Sequence, residues 1–156
     1  MFLTDEQIGR LLAERKPNID PVEMLSTLAP DPTSRSKSAM RKVPAGDGGL
    51  FVVRVRQSVR DPYDFSIILT YEPERGHEFI LRRHNGSSHR HRNSIEGSEF
   101  ENRCHIHEAT ERYQRRGTNA EHYAMPTGRF DNVATGLECM LHDSNFAPPA
   151  QSSLGV

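Results

Sequence analysis

The chain reads as an α+β fold: one or two N-terminal helices, an antiparallel sheet of four to five strands, and a C-terminal helix packed on one face. Three observations predict it. A helix-start signature opens the chain at Thr4, apolar residues alternate from Leu50 onward between short turns, and helical spacing returns at Val133.

Thr4-Asp5-Glu6-Gln7 is a capping box, with Leu3 and Ile8 spaced as a hydrophobic staple. Ile8, Leu11 and Leu12 then form one stripe, and Arg15-Lys16 before Pro17 suit the negative end of a helix. Asp20-Pro21-Val22-Glu23 starts a second helix, with Pro at its first position, that runs to about Leu28. Residues 29–49 hold Pro, Gly and Ser but few apolar anchors and read as a mobile basic loop. Such a loop is either a plain linker or an arm laid along a nucleic-acid backbone.

Phe51, Val53 and Val55 alternate with Val52, Arg54 and Arg56 as a half-buried strand. Asp61–Asp64 is a turn, and Phe65, Ile67, Leu69 and Tyr71 line the next strand. Pro73-Glu74-Arg75-Gly76 turns again into the strand His77–Arg83, and Asn85-Gly86 is the strongest hairpin signal in the chain. Arg103–His107 is a further strand with Cys104 and Ile106 on its buried face; Ala109–Arg116 is either a short helix ending at Gly117 or more strand. Phe130-Asp131 opens the last helix, in which Val133, Leu137, Met140 and Leu141 form a stripe that Asn145-Phe146 closes. Residues 147–156 read as a disordered tail, leaving 1–146 as a single domain.

Hydrophobic residues make up 35% of the chain, which implies a modest core. The net charge of −1 conceals a basic middle and an acidic end: residues 82–116 carry eight Arg against five Glu, and 117–156 one Arg against four acids. Two cysteines are too few for a disulfide scaffold, so a reducing, cytoplasmic location is expected. No apolar run approaches the roughly 20 residues a membrane span needs, and no membrane partner is expected.

Seven of the eight histidines fall between His77 and His122, four of them as the pairs His89/His91 and His105/His107. Histidine trades protons near neutrality and ligates transition metals; arginine offers a planar fork that fits phosphate. On a strand His105 and His107 stand on one face, opposite Cys104 and Ile106. A metal-free ribonuclease needs a base for the 2′-hydroxyl, an acid for the leaving oxygen and cations for the phosphate. The candidates are His91, His105 and His107, with Tyr113 as a further acid and Arg83, Arg92, Arg103 and Arg112 for the substrate. A zinc site is the alternative, with His89, His91, His105 and His107 as ligands. The plainest reading is a solvated strand face. Cys104 is a poor nucleophile candidate, since its neighbour His105 points to the opposite face.

The stretch N-G-S-S-H-R-H-R-N at 85–93, with C-H-I-H at 104–107, resembles an uncharacterised family of small bacterial and phage-borne proteins. That family pairs L-R-L-D-x-N-G-P-P-H-R-N with P-H-I-H. The opening L-T-D-E-Q and the closing N-F resemble it too, so the likeness spans most of residues 1–146. Two extra residues before R-N leave either His89 or His91 as the equivalent histidine. A looser resemblance, to toxins of toxin–antitoxin pairs, implies an RNA-directed toxin with a cognate antitoxin as partner. The function expected is thus a toxin-like, metal-independent endoribonuclease. The alternatives are a His-ligated zinc hydrolase and a non-enzymatic phage or mobile-element inhibitor that binds a host defence complex.

Overall fold

A computed structural model describes residues 1–150 and has the expected α+β architecture. Helices α1 (Asp5–Ala13) and α2 (Pro21–Ser26) lead into β1 (Ala29–Pro30), β2 (Ser36–Pro44), β3 (Leu50–Ser58), β4 (Phe65–Glu74) and β5 (His77–Asn85). The short strands β6 (Arg90–Arg92), β7 (Glu99–Glu101) and β8 (His105–Glu108) follow, then α3 (Glu111–Arg115), β9 (Ala124–Pro126) and α4 (Val133–Asp143). All strand pairs are antiparallel. The main sheet has seven strands in the order β1-β2-β3-β4-β5-β8-β9, more than the four or five expected, while β6 and β7 form a separate hairpin. No helix among the described residues is long and apolar enough to cross a membrane.

The local signals hold where they are strongest. Thr4 and Gln7 make both bonds of the capping box, and Leu3 and Ile8 are buried together in the core. Asp20 caps α2 by accepting from the Val22 and Glu23 amides. Asn132, not Phe130-Asp131, caps α4 through a reciprocal pair with Thr135. The core lies on one face of the sheet, where Phe51, Val53, Val55, Phe65, Ile67, Leu69 and Tyr71 meet Leu137 and Met140 of α4 and Met24 of α2. Burial of this apolar face is the main favourable term in folding.

Two expectations are corrected. Residues 29–49 are not a mobile loop, because β2 pairs with β3 along its whole length, from Ser36↔Ser58 to Pro44↔Leu50. Its inward residues, Ala39 and Val43, are too few and small to read as a strand, and its lysines and arginines suit an outer strand that must resist further pairing. Nor does Asn85-Gly86 close a hairpin. Asn85 ends β5 and pairs with His105 of β8, and the chain leaves the sheet at Gly86. A Cβ at Gly86 would run into the Tyr63 carbonyl oxygen, so close approach, not a turn, requires the glycine.

Of the segment read as a disordered tail, residues 151–156 lie outside the described residues. Ala147 is tied down, its amide donating to the Lys16 carbonyl. Lys16 itself is 1% exposed. Its ammonium donates to the carbonyls of Leu11, Leu12, Glu14 and Ser144 at 2.6–3.2 Å and lies 4.5 Å from the Phe51 ring. It thereby joins the C-terminal ends of α1 and α4, whose last carbonyls have no helical partner.

Candidate active site

The site begins with a slip in register. Leu69 of β4 faces Arg82, yet the next residue, Thr70, faces Ile80, so Leu81 is the extra residue of a bulge. Phe79 and Leu81 belong to the core before the slip, and His84 lies on the core side after it. Arg83 and Asn85 are thereby turned to the opposite face, directly across from His107 and His105. The face bearing His105 and His107 is not open, as the alternation with Cys104 and Ile106 suggested. They are 3% and 8% exposed, and the β6–β7 hairpin carries His91 against them.

Four imidazoles meet here. Ring centroids are 5.0 Å apart for His105 and His107, 4.9 Å for His91 and His107, and 5.9 Å for His91 and His105. His122, from the loop before β9, stands 4.9 Å from His91 and 5.3 Å from the Tyr113 ring. Phe100 of β7 packs beside His105 and His91, at 5.0 and 5.5 Å.

Each ring has one nitrogen committed to an oxygen that can only accept. His105 Nδ1 donates to the Arg103 carbonyl at 2.8 Å, and His107 Nδ1 to the Glu121 carbonyl at 2.9 Å. His122 Nε2 donates to the Arg92 carbonyl at 3.1 Å, and His91 Nε2 to Asn93 Oδ1 at 3.0 Å. The buried Asn93 amide is held in one orientation by the backbone of Ala124, accepting from its N–H and donating to its carbonyl, both at 2.8 Å. These partners fix the tautomers and leave Nε2 of His105 and His107, and Nδ1 of His91 and His122, with lone pairs, that of His105 facing the Asn85 amide nitrogen at 3.5 Å.

Burial keeps three of the rings uncharged. It lowers the pKa of His91 and His105 and, with repulsion from His105, His91 and Arg83, takes His107 down to about 3. An imidazole in this state is unprotonated at neutral pH, so it offers a lone pair to a metal or a proton, holding the proton more weakly as its pKa falls.

Other candidates stand elsewhere. His89 is 70% exposed and lies near Asp64, outside the cluster, so it leaves the zinc set expected from the sequence; His122 is the ring found in its place. Tyr113 is fully buried, and its hydroxyl donates to Glu96 at 2.5 Å and accepts from the Ile95 amide. Burial and Glu96 raise its pKa, so it braces the hairpin loop and holds its proton. Arg112 is bound to Glu96 and Arg83 to Glu121, whereas Arg92 and Arg103 are exposed with no ion pair among the described residues. Cys104 is buried with its pKa raised by that burial, which suits an inert thiol.

The sequence reading missed His122 and Asn93. Asn93 directly follows H-R-H-R and is the Asn of the R-N pair in the resemblance, which was its one visible signal. His122 has none. Among the described residues no three His, Cys, Asp or Glu side chains are disposed to hold a metal ion as they stand. No protein-family model, curated protein or solved structure matches the chain.

Proposed function

We propose that the imidazole cluster cleaves RNA phosphodiesters, the activity of a toxin-like endoribonuclease. One observation carries the reading: neutral imidazoles gather with one N–H each committed to a carbonyl oxygen and the other nitrogen left as a base. In the reaction, one lone pair takes the 2′-hydroxyl proton as that oxygen attacks phosphorus. The P–O5′ bond breaks, and the imidazolium returns its proton to the departing 5′ oxygen, leaving a 2′,3′-cyclic phosphate. Arg92 and Arg103 support an anionic substrate, because the carbonyls that orient His122 and His105 are their own and their guanidiniums have no ion pair among the described residues.

The test is incubation of the pure protein with single-stranded RNA and chromatography of the products. Cyclic-phosphate ends are expected, with the rate falling about 100-fold or more in His105→Ala and His107→Ala. Expression in a bacterial host is expected to arrest growth, relieved by the same changes and by a cognate antitoxin. Intact RNA after incubation with folded protein overturns the proposal.

A further inference from the structure

Apart from the exposed Arg92 and Arg103, the candidate residues offer no free cation for the negative charge that builds on phosphorus. Tyr113 directs its hydroxyl proton to Glu96, and Arg83 and Arg112 are held by the carboxylates of Glu121 and Glu96. We infer that His91, His105 and His107 bind one divalent transition-metal ion of the zinc class, leaving His122 beside it as the base. This replaces the metal-free mechanism expected from the sequence and takes His89 out of the ligand set.

Three features of the cluster support the inference. Metal-ligating histidines donate their second ring N–H to a carbonyl or carboxylate, which sets the tautomer and raises ligand basicity. All three rings do so, through Arg103, Glu121 and Asn93. Asn93 is itself locked to Ala124, so the support extends a further layer outward.

The spacing is also close to that of a three-histidine centre. With zinc–nitrogen bonds of about 2.0–2.1 Å and tetrahedral angles, ligand ring centroids sit roughly 5 Å apart. The observed 4.9 and 5.0 Å agree, and the pair that stands apart is His91–His105 at 5.9 Å. Only His91 lies on the hairpin rather than the main sheet, so drawing β6 inward by less than about 1 Å, with ring rotation, is the closure an ion requires.

Arg92 and Arg103 carry their guanidiniums at the exposed surface, and the other nearby arginines are paired. Arg83, the guanidinium opposite His107, is paired with the buried Glu121, and Arg90 on the hairpin with Glu99. Three protein ligands leave a fourth position exchangeable, where a bound ion acts as a Lewis acid.

The purpose given to the ion rests on the cleavage reaction proposed above, but its binding is measured separately. The full chain, stripped with chelator and dialysed, is titrated with Zn²⁺ and, for its visible spectrum, Co²⁺. One ion per chain is expected, with His-ligated Co²⁺ absorption. His91→Ala, on the partly exposed hairpin, and His107→Gln each weaken binding at least tenfold with the circular dichroism unchanged, while the exposed His89→Ala does not. No binding by folded wild-type protein overturns the inference, as does equal weakening by His89→Ala and His91→Ala. RNA cleavage is followed in the same samples. Cleavage by ion-free protein removes the ion and keeps the reaction; an ion without cleavage keeps the ion and removes the reaction.

Discussion

The two faces of the sheet are held by different physics. On the helix side, Phe51, Val53, Ile67, Leu69, Leu137 and Met140 fill a shared apolar layer, and any one contact is a small share of the total. On the histidine side a hairpin of two three-residue strands and a loop cover two buried imidazoles, and what holds them is directed hydrogen bonding to named carbonyls. An apolar layer tolerates exchange of one hydrophobic group for another. A network of single hydrogen bonds loses function when one member is removed, because the partner is left buried and unsatisfied.

The largest expected effect lies where the helix side departs from this description. Replacing Lys16 by Met leaves the carbonyls of Leu11, Leu12, Glu14 and Ser144 without their donor. Burial lowers the Lys16 pKa to about 8, so the ammonium is charged at pH 7. Leaving buried carbonyls without a donor costs about 1–3 kcal/mol for each group, so several kcal/mol are expected in all, read from urea unfolding. RNA cleavage and ion binding per folded molecule are expected to stay unchanged, which would separate the two faces; a loss of cleavage in the folded variant would join them.

On the other side, Asn93→Ala removes the acceptor of His91 and both partners of Ala124. It is expected to cost about 2–3 kcal/mol of stability, since buried backbone groups are left unpaired. Unlike Lys16→Met, it should also abolish ion binding and cleavage, because the His91 tautomer is no longer set. Retained binding would mean that Asn93 only supports the fold.

Acid tests both faces at once. His84 is fully buried on the core side, stacked on Phe130 at 5.1 Å, with neither ring nitrogen hydrogen-bonded among the described residues. Burial takes its pKa down to about 3, as it does for His107. The unfolded chain binds a proton at each position near 6.5, so between about 6.5 and 3 it holds more protons than the folded chain. Stability contributed by the neutral rings is therefore present above 6.5 and lost as pH falls toward 3, by on the order of 1–2 kcal/mol for each ring between pH 7 and 5. His84→Leu should remove one ring's share of this acid sensitivity and raise stability at pH 7 by about 1 kcal/mol, since two orphaned polar atoms disappear. An unchanged pH dependence would show that His84 is solvated or partnered. The smallest effect is expected at His89, where exchange for Ala should change unfolding free energy by less than about 0.5 kcal/mol.

The ends of the helices and the apolar face of the meander were legible because each depends on neighbours in sequence. Thr4 meets Gln7 three residues away, and Phe51, Val53 and Val55 need only alternate. β2 was not legible, since its pairing with β3 does more to make it a strand than its own residues do. The chain marked His91, His105 and His107 as a group by composition, but it equally marked His89, which faces solvent. His122 comes from a loop whose place beside His91 depends on α3 and on the pairing of β8 with β9.

By itself, the amino-acid sequence determined an α+β chain with capped helices, an alternating apolar sheet face and an imidazole-rich segment following it. Those features follow from interactions a few residues long, written into local spacing. Only the tertiary structure decided which four rings meet, that the hairpin covers His105 and His107, and that the bulge at Leu81 turns Arg83 and Asn85 toward them. The reason is geometric: one residue's slip in register reverses every later side chain on a strand, and a hydrogen bond from a ring to a distant carbonyl leaves no pattern along the chain.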